Sequence, residues 1–151
     1  MDAIDRQIVE LLRTNARLSY AELARQVGLS APAVHERVGK LESGGVIVGY
    51  RASVAPEAIG LGVTALIGII QTNDSEADDV AEALSGIVEI ESCYFLAGEE
   101  SFLLKARVGT IAELEQLIAR VNRITGIART RTTIALSTKW ENRPQPGREP
   151  A

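Results

Sequence analysis

SYAELARQVGLSAPAVHERVGKLESGGVI, residues Ser19 to Ile47, reads as two short helices joined by a tight turn. Ser19 and Glu22 have the spacing of a capping box, in which the hydroxyl accepts the N–H three residues on and the carboxylate reaches back. Leu23, Ala24 and Val27 then form an apolar stripe of helical period. Gly28 stands where the chain must turn, because glycine accepts positive φ without steric cost. Leu29 plugs the corner, and Ser30 caps a second helix that tolerates Pro32 in its first turn. Val34, Val38 and Leu41 fall at i, i+4 and i+7 and face inward. Ser30, Ala31, Ala33, His35, Glu36, Arg37 and Lys40 are left on or near the outer face. The pattern is that of a helix-turn-helix whose second helix reads DNA. An ordinary helical hairpin shares the caps and the Gly turn, so the flanking segments matter.

Upstream, Ile4, Ile8, Leu11 and Leu12 mark a first amphipathic helix capped by Asp2, which completes a three-helix core. Downstream, Gly44-Gly45 stops the second helix of the motif, and Val46 to Arg51 reads as an extended segment leaving the domain. Residues 1–45 are therefore the expected DNA-binding domain, and residues 46–60 a linker strand and hinge.

The second half alternates in a different rhythm. Leu61 to Gln71 is a strand of the buried type; Thr72 to Ser75 is a turn and cap; Ala77, Val80, Ala81 and Leu84 line one face of a helix ended by Gly86. Ile87 to Ala97 and Ser101 to Val108 read as hairpin strands around Gly98-Glu99-Glu100. Thr110 and Glu113 form another capping box, opening a helix with Ile111, Leu114, Leu117, Ile118, Val121 and Ile124 on one face. Gly126 closes it, and Ile127 to Trp140 supplies a last strand with Thr and Arg alternating. The order βαββαβ over residues 61–140 is the ferredoxin-like split βαβ, which makes the chain α+β. Residues 141–151 are Pro-rich and polar and read as a flexible tail.

Composition bounds the function. The chain carries a net charge of −4, with 46% hydrophobic and only 4% aromatic residues. Residues 1–60 hold seven basic and seven acidic side chains, so the excess acid lies beyond them. The N-terminal part is the less repulsive face toward phosphate, but it is no strong basic patch. One copy neutralises few phosphates and binds weakly, so useful affinity calls for several copies on one DNA. The longest apolar stretch, Leu61 to Ile70, is too short to span a bilayer as a helix, and no signal peptide is evident. A single cysteine, Cys93, excludes an intrachain disulfide framework, suits a reducing compartment, and is read as a small core residue. No metal-ligand cluster, Ser/His/Asp set or phosphate-binding Gly loop is apparent, and no cofactor is expected.

The whole pattern resembles the Lrp/AsnC (feast/famine) transcriptional regulators over about residues 1–140. The resemblance is carried by Asp5-Arg6-Gln7-Ile8, Asn15-Ala16-Arg17, Glu22-Leu23-Ala24 and Gly28-Leu29-Ser30, and continues through Val34, Arg37-Val38, Leu41-Glu42, Gly45-Val46-Ile47 and Gly49-Tyr50. It implies a winged-type helix-turn-helix followed by a ferredoxin-like effector (RAM) domain. It also implies dimers that associate into octamers, control by a small amino acid, and target genes in amino-acid metabolism or transport together with the regulator's own gene. A cytoplasmic, nucleoid-associated protein is the resulting expectation. Some relatives of this architecture are tetrapyrrole decarboxylases; that chemistry wants several histidines or a basic cluster, whereas this chain has one His. An architectural DNA-compacting protein without effector is the other alternative.

Two sets of candidate site residues emerge. Toward double-stranded DNA, Ser30, Ala31, Ala33, His35 and Glu36 are candidates for base edges, and Arg37 has the fork suited to guanine or phosphate. Lys40, Arg25 and Arg51 are candidates for phosphate, with solvated surface or a Glu36–Lys40 pair as the alternative. Tyr50 and Arg51 also suit a role in pairing protomers. The resemblance points to the turn Ala97 to Ser101 as the main effector contact, so Gly98, Glu99, Glu100 and Ser101 are candidates, with Tyr94, Thr132 and Thr133 on neighbouring strands. The usual family turn has an aromatic residue and then Asp after Gly-x; here Glu100 and Ser101 occupy those positions.

Overall fold

Asp2 opens helix α1 (Ala3–Thr14) with a full capping box: its carboxylate accepts the Asp5 N–H, and the Asp5 carboxylate accepts the Asp2 N–H. Ser19 and Glu22 do the same for α2 (Tyr20–Val27), and the Ser30 hydroxyl accepts the Ala33 N–H of α3 (Ala31–Ser43). Gly28 turns the corner in the left-handed region at φ 72°, where a β-carbon would be strained. Ile8, Leu23, Val34, Val38 and Leu41 meet in one aliphatic core under these helices. Each fully buried side chain of this kind stabilises the fold by about 1.5–3 kcal/mol.

The computed structural model describes residues 1–148 and divides into two units, Met1–Ser53 together with residues 140–148, and Val54–Lys139. In the second unit, β1 (Val63–Gln71), β2 (Ile90–Phe95), β3 (Phe102–Val108) and β4 (Ile127–Ala135) form one antiparallel sheet in the order β2-β3-β1-β4. Helices α4 (Ala77–Ser85) and α5 (Ile111–Asn122) complete the βαββαβ order. Ala65, Ile67 and Ile69 of β1 and Phe102, Leu104 and Ala106 of β3 point to the helices, where Val80, Leu84, Leu114, Leu117 and Val121 cover them. Alternation sends Leu66, Gly68, Ile70, Leu103, Lys105 and Arg107 to the opposite face.

Several segments differ from expectation. Val46 to Arg51 forms no strand, so the expected linker strand is not built over these residues. The start of this run closes α3 in a Schellman motif: Val46 N–H donates to the Leu41 carbonyl, Gly45 N–H donates to that of Glu42, and Gly45 sits at φ 73°. Residues 48–51 have no ladder partner, and Pro56–Ile59 is a short 3₁₀ turn. Strand β2 starts at Ile90 rather than Ile87, because Ile87 and Ile90 donate to Leu84 and Ile87 in a turn. Strand β4 stops at Ala135, opposite Thr64, where its partner strand runs out.

Ser75 does not cap α4; its hydroxyl lies 3.0 Å from the Thr72 carbonyl and 3.2 Å from that of Gly126. Thr110 caps α5, but Glu113 takes the Gly109 N–H, so the box is half formed. Ile111, the first residue of α5, is exposed outside the core stripe. Cys93 is exposed as well, on the edge strand β2 rather than in the core. Of the expected tail, residues 149–151 lie outside the described residues; residues 136–148 form no helix or strand, and the Arg143 guanidinium stacks 5.1 Å over the Trp140 ring.

Candidate functional site

Helix α3 stands on Val34, Val38 and Leu41, all buried, which leaves its opposite side free. The candidate side chains there have unequal freedom. The Ser30 hydroxyl is engaged in the cap, and Ala31 and Ala33 are half-buried, Ala31 against the core. Glu36 and Lys40 pair at 2.7 Å across one turn, both well exposed, and this contact with Lys40 holds the Glu36 carboxyl below its usual range. Arg37 turns away: Nη1 lies 2.7 Å from carboxylate oxygens of both Asp2 and Asp5, and this contact binds α3 to the start of α1. His35 is exposed and meets the Tyr20 ring edge-on, centroids 4.9 Å apart at 78°. Arg25 on α2 and Arg51 beyond α3 are exposed.

Three partnerships in this unit are not evident from the sequence. Asp2 is legible as a cap, but its bond to Arg37 spans 35 residues. The edge contact of Tyr20 with His35 joins α2 to α3. Tyr50 donates its hydroxyl to Glu42 at 2.8 Å, and withdrawal from water together with that carboxylate pushes the phenol up to about 12.

The second set gathers at the β2–β3 turn. Leu96 N–H donates to the Ser101 carbonyl, and Ser101 N–H donates to the Ile69 carbonyl at 2.7 Å, so Ser101 belongs to the ladder rather than to an open loop. Gly98 and Glu99 are exposed. Glu100 folds back over Gly68 on the face away from the helices; a β-carbon at Gly68 would sit 2.4 Å from its carboxyl carbon. Arg131 Nη1 lies 3.8 Å from both Glu99 and Glu100. Arg131 is opposite Gly68, and the alternation of Thr and Arg along β4 was the available signal for it.

Tyr94, opposite Leu103, and Thr133, opposite Leu66, share this face. Thr132 does not: it is opposite Ile67 and points to the helix side, because consecutive strand residues face opposite ways. Among the described residues no group of His, Cys, Asp and Glu is placed to hold a metal ion, and no helix is long and apolar enough to cross a membrane.

Residues 1–42 match the AsnC-type helix-turn-helix domain, and residues 64–145 match the Lrp/AsnC ligand binding domain. The chain is 44% identical over 143 residues to the HTH-type transcriptional regulator LrpA of Mycobacterium tuberculosis (strain ATCC 25618 / H37Rv), covering 95% of each. It is 36% identical over 137 residues to the regulatory protein AsnC of Escherichia coli (strain K12), covering 90% of each. It superposes on the feast or famine regulatory protein from M. tuberculosis complexed with L-methionine with a TM-score of 0.89, at 42% identity over 95% of this chain and 97% of that one. Two matched domains in the same order, with relatives aligned almost end to end, place this chain in the Lrp/AsnC family of transcriptional regulators rather than among enzymes.

Proposed function

We propose that this chain binds double-stranded DNA sequence-specifically as a homo-oligomer and that a small amino acid modulates its assembly and its DNA binding. The observation that supports this most is the pairing of two features in one chain. Helix α3 is presented on a buried stripe with an exposed outer side, and the second unit sets the carboxylates of Glu99 and Glu100 beside the Arg131 guanidinium. A carboxylate and a guanidinium on one face complement the ammonium and carboxylate of an amino acid. The matched ligand binding domain and the methionine complex of a relative point the same way.

With so few basic residues around α3, several copies on one DNA segment supply the affinity that one lacks; dimers associating into an octamer fit that need. The amino acid acts as an effector rather than a cofactor, by differential affinity for two arrangements of the oligomer. A cytoplasmic, nucleoid-associated site of action accords with this role. The targets we propose are genes of amino-acid metabolism or transport and the regulator's own gene.

Gel-shift titration with DNA from upstream of its own gene, with and without a pool of amino acids, tests this. Cooperative shifts that move with the pool support it. Tight binding indifferent to every amino acid favours an architectural role, and absence of sequence-preferring binding at low salt defeats the proposal.

A further inference from the structure

We infer that His35 is the side chain of α3 that sets base preference, and that Tyr20, which lies outside that helix, is the positioning residue that orients it. The inference rests on the DNA-binding role proposed above and specifies how sequence is read.

Its first support is an inventory of polar groups. Over the first turns of α3, Ala31, Pro32 and Ala33 offer no hydrogen-bonding side chain. The Ser30 hydroxyl caps Ala33, Glu36 holds Lys40, and Arg37 is clamped by Asp2 and Asp5. His35 is exposed on the same stretch, and its ring contact is with Tyr20.

The second support is the geometry of that contact. A T-shaped approach at 4.9 Å sets the edge of one ring against the face of the other, the arrangement favoured by the aromatic quadrupole. It restricts the free rotation of an exposed imidazole, and orientation is what a base contact needs. Tyr20 is the first residue of α2, and the Ser19–Glu22 capping box fixes the backbone from which its ring projects. An imidazole N–H held outward donates to an acceptor edge, and in the major groove guanine presents two adjacent acceptors, N7 and O6. Ala31 and Ala33 add only methyl surface, which suits a neighbouring thymine methyl.

The test is selection of bound duplexes from a random pool by the full chain, comparing wild type with His35→Ala, Tyr20→Leu and Tyr20→Phe. Leucine retains an apolar side chain of helix-forming type but has no ring, and phenylalanine retains the ring. Thermal unfolding confirms that each variant folds. The wild type is expected to enrich a site with guanine at one position of each half-site. His35→Ala should lower discrimination at that position about tenfold or more, Tyr20→Leu should weaken it at the same position, and Tyr20→Phe should retain it. Affinity for a duplex lacking the site should fall far less than affinity for the selected site in each of the two disruptive variants. If His35→Ala or Tyr20→Leu keeps the full wild-type preference, the inference is overturned while the DNA-binding role stands. If the wild type itself enriches no sequence, the underlying role fails.

Discussion

Arg37 of α3 and Asp5 of α1, 32 residues apart in the chain, lie 2.7 Å apart in the folded unit. The same guanidinium reaches Asp2 at the same distance, so the capping box of α1 doubles as the anchor of the reading helix. Arg37 thereby forms a clamp between the start of α1 and α3 that fixes the angle at which α3 is presented.

The clamp predicts a pattern of stability rather than of specificity. Arg37→Met and Asp5→Asn should each lower the thermal unfolding midpoint, and the double variant should fall little further than either alone. Additive losses would show that the two side chains act independently. The Asp2 carboxyl is held below its usual range, first by the Asp5 N–H and then by Arg37. Its proton therefore binds the unfolded chain first as pH falls. The stability it confers is complete above about pH 4 and is lost as pH drops through the depressed value. Melting curves from neutral pH downward should show a weaker acid dependence in Asp2→Asn.

Gly39 lies in the middle of α3 with open space where a β-carbon would stand and with an ordinary helical φ. Glycine there costs helix stability without answering a need of the fold. Gly39→Ala should stabilise the protein by about 0.5–1 kcal/mol, read from denaturant unfolding; a destabilised variant would mean that α3 needs the missing side chain.

On the sheet, Gly68 makes the room that Glu100 occupies. A methyl group there would meet the carboxylate at 2.4 Å and push it off the sheet, although the strand backbone accepts alanine. Gly68→Ala should therefore weaken amino-acid binding at least as much as Glu100→Gln does. Calorimetric titration of the wild type against single amino acids, then of both variants with the one that binds, measures this. Unchanged affinity in Gly68→Ala would remove Glu100 from the effector site.

Tyr50 offers a spectroscopic reading of the segment after α3. With its phenol raised to about 12 by withdrawal from water and by Glu42, the folded state disfavours the phenolate. The unfolded chain ionises first, so this contribution to stability is intact below about pH 10 and disappears as pH climbs toward the folded value. Ultraviolet titration should show a tyrosine that ionises only toward about pH 12, and Glu42→Gln should bring it down. A tyrosine signal that Glu42→Gln leaves unmoved would contradict the Tyr50–Glu42 bond.

The parts legible in advance share a short range. Ser19–Glu22, Asp2–Asp5 and Ser30–Ala33 are contacts across three residues, and the stripe of Val34, Val38 and Leu41 repeats with the helical turn. Such features are written in consecutive spacing, so the helices, their caps and the βαββαβ order could be read from the chain. Sequence and structure part where a residue's neighbour lies far along the chain. Val46 to Arg51 has strand-like composition, yet the local Schellman closure takes its start and no strand stands beside the rest. Cys93, followed by Tyr94 and Phe95, looks like core until the sheet order puts β2 at an edge.

By itself, then, the sequence determined the α+β class, the helix-turn-helix and the turn that bears Glu99 and Glu100, because hydrophobic period and capping chemistry act within a few residues. Only the tertiary structure decided that Arg37 faces Asp2 and Asp5, that His35 leans on Tyr20, that Glu100 lies on Gly68 beside Arg131, and that Thr132 and Thr133 part to opposite faces. Those relations depend on which elements adjoin and in what register, and both are set by burying two apolar cores rather than by any local signal.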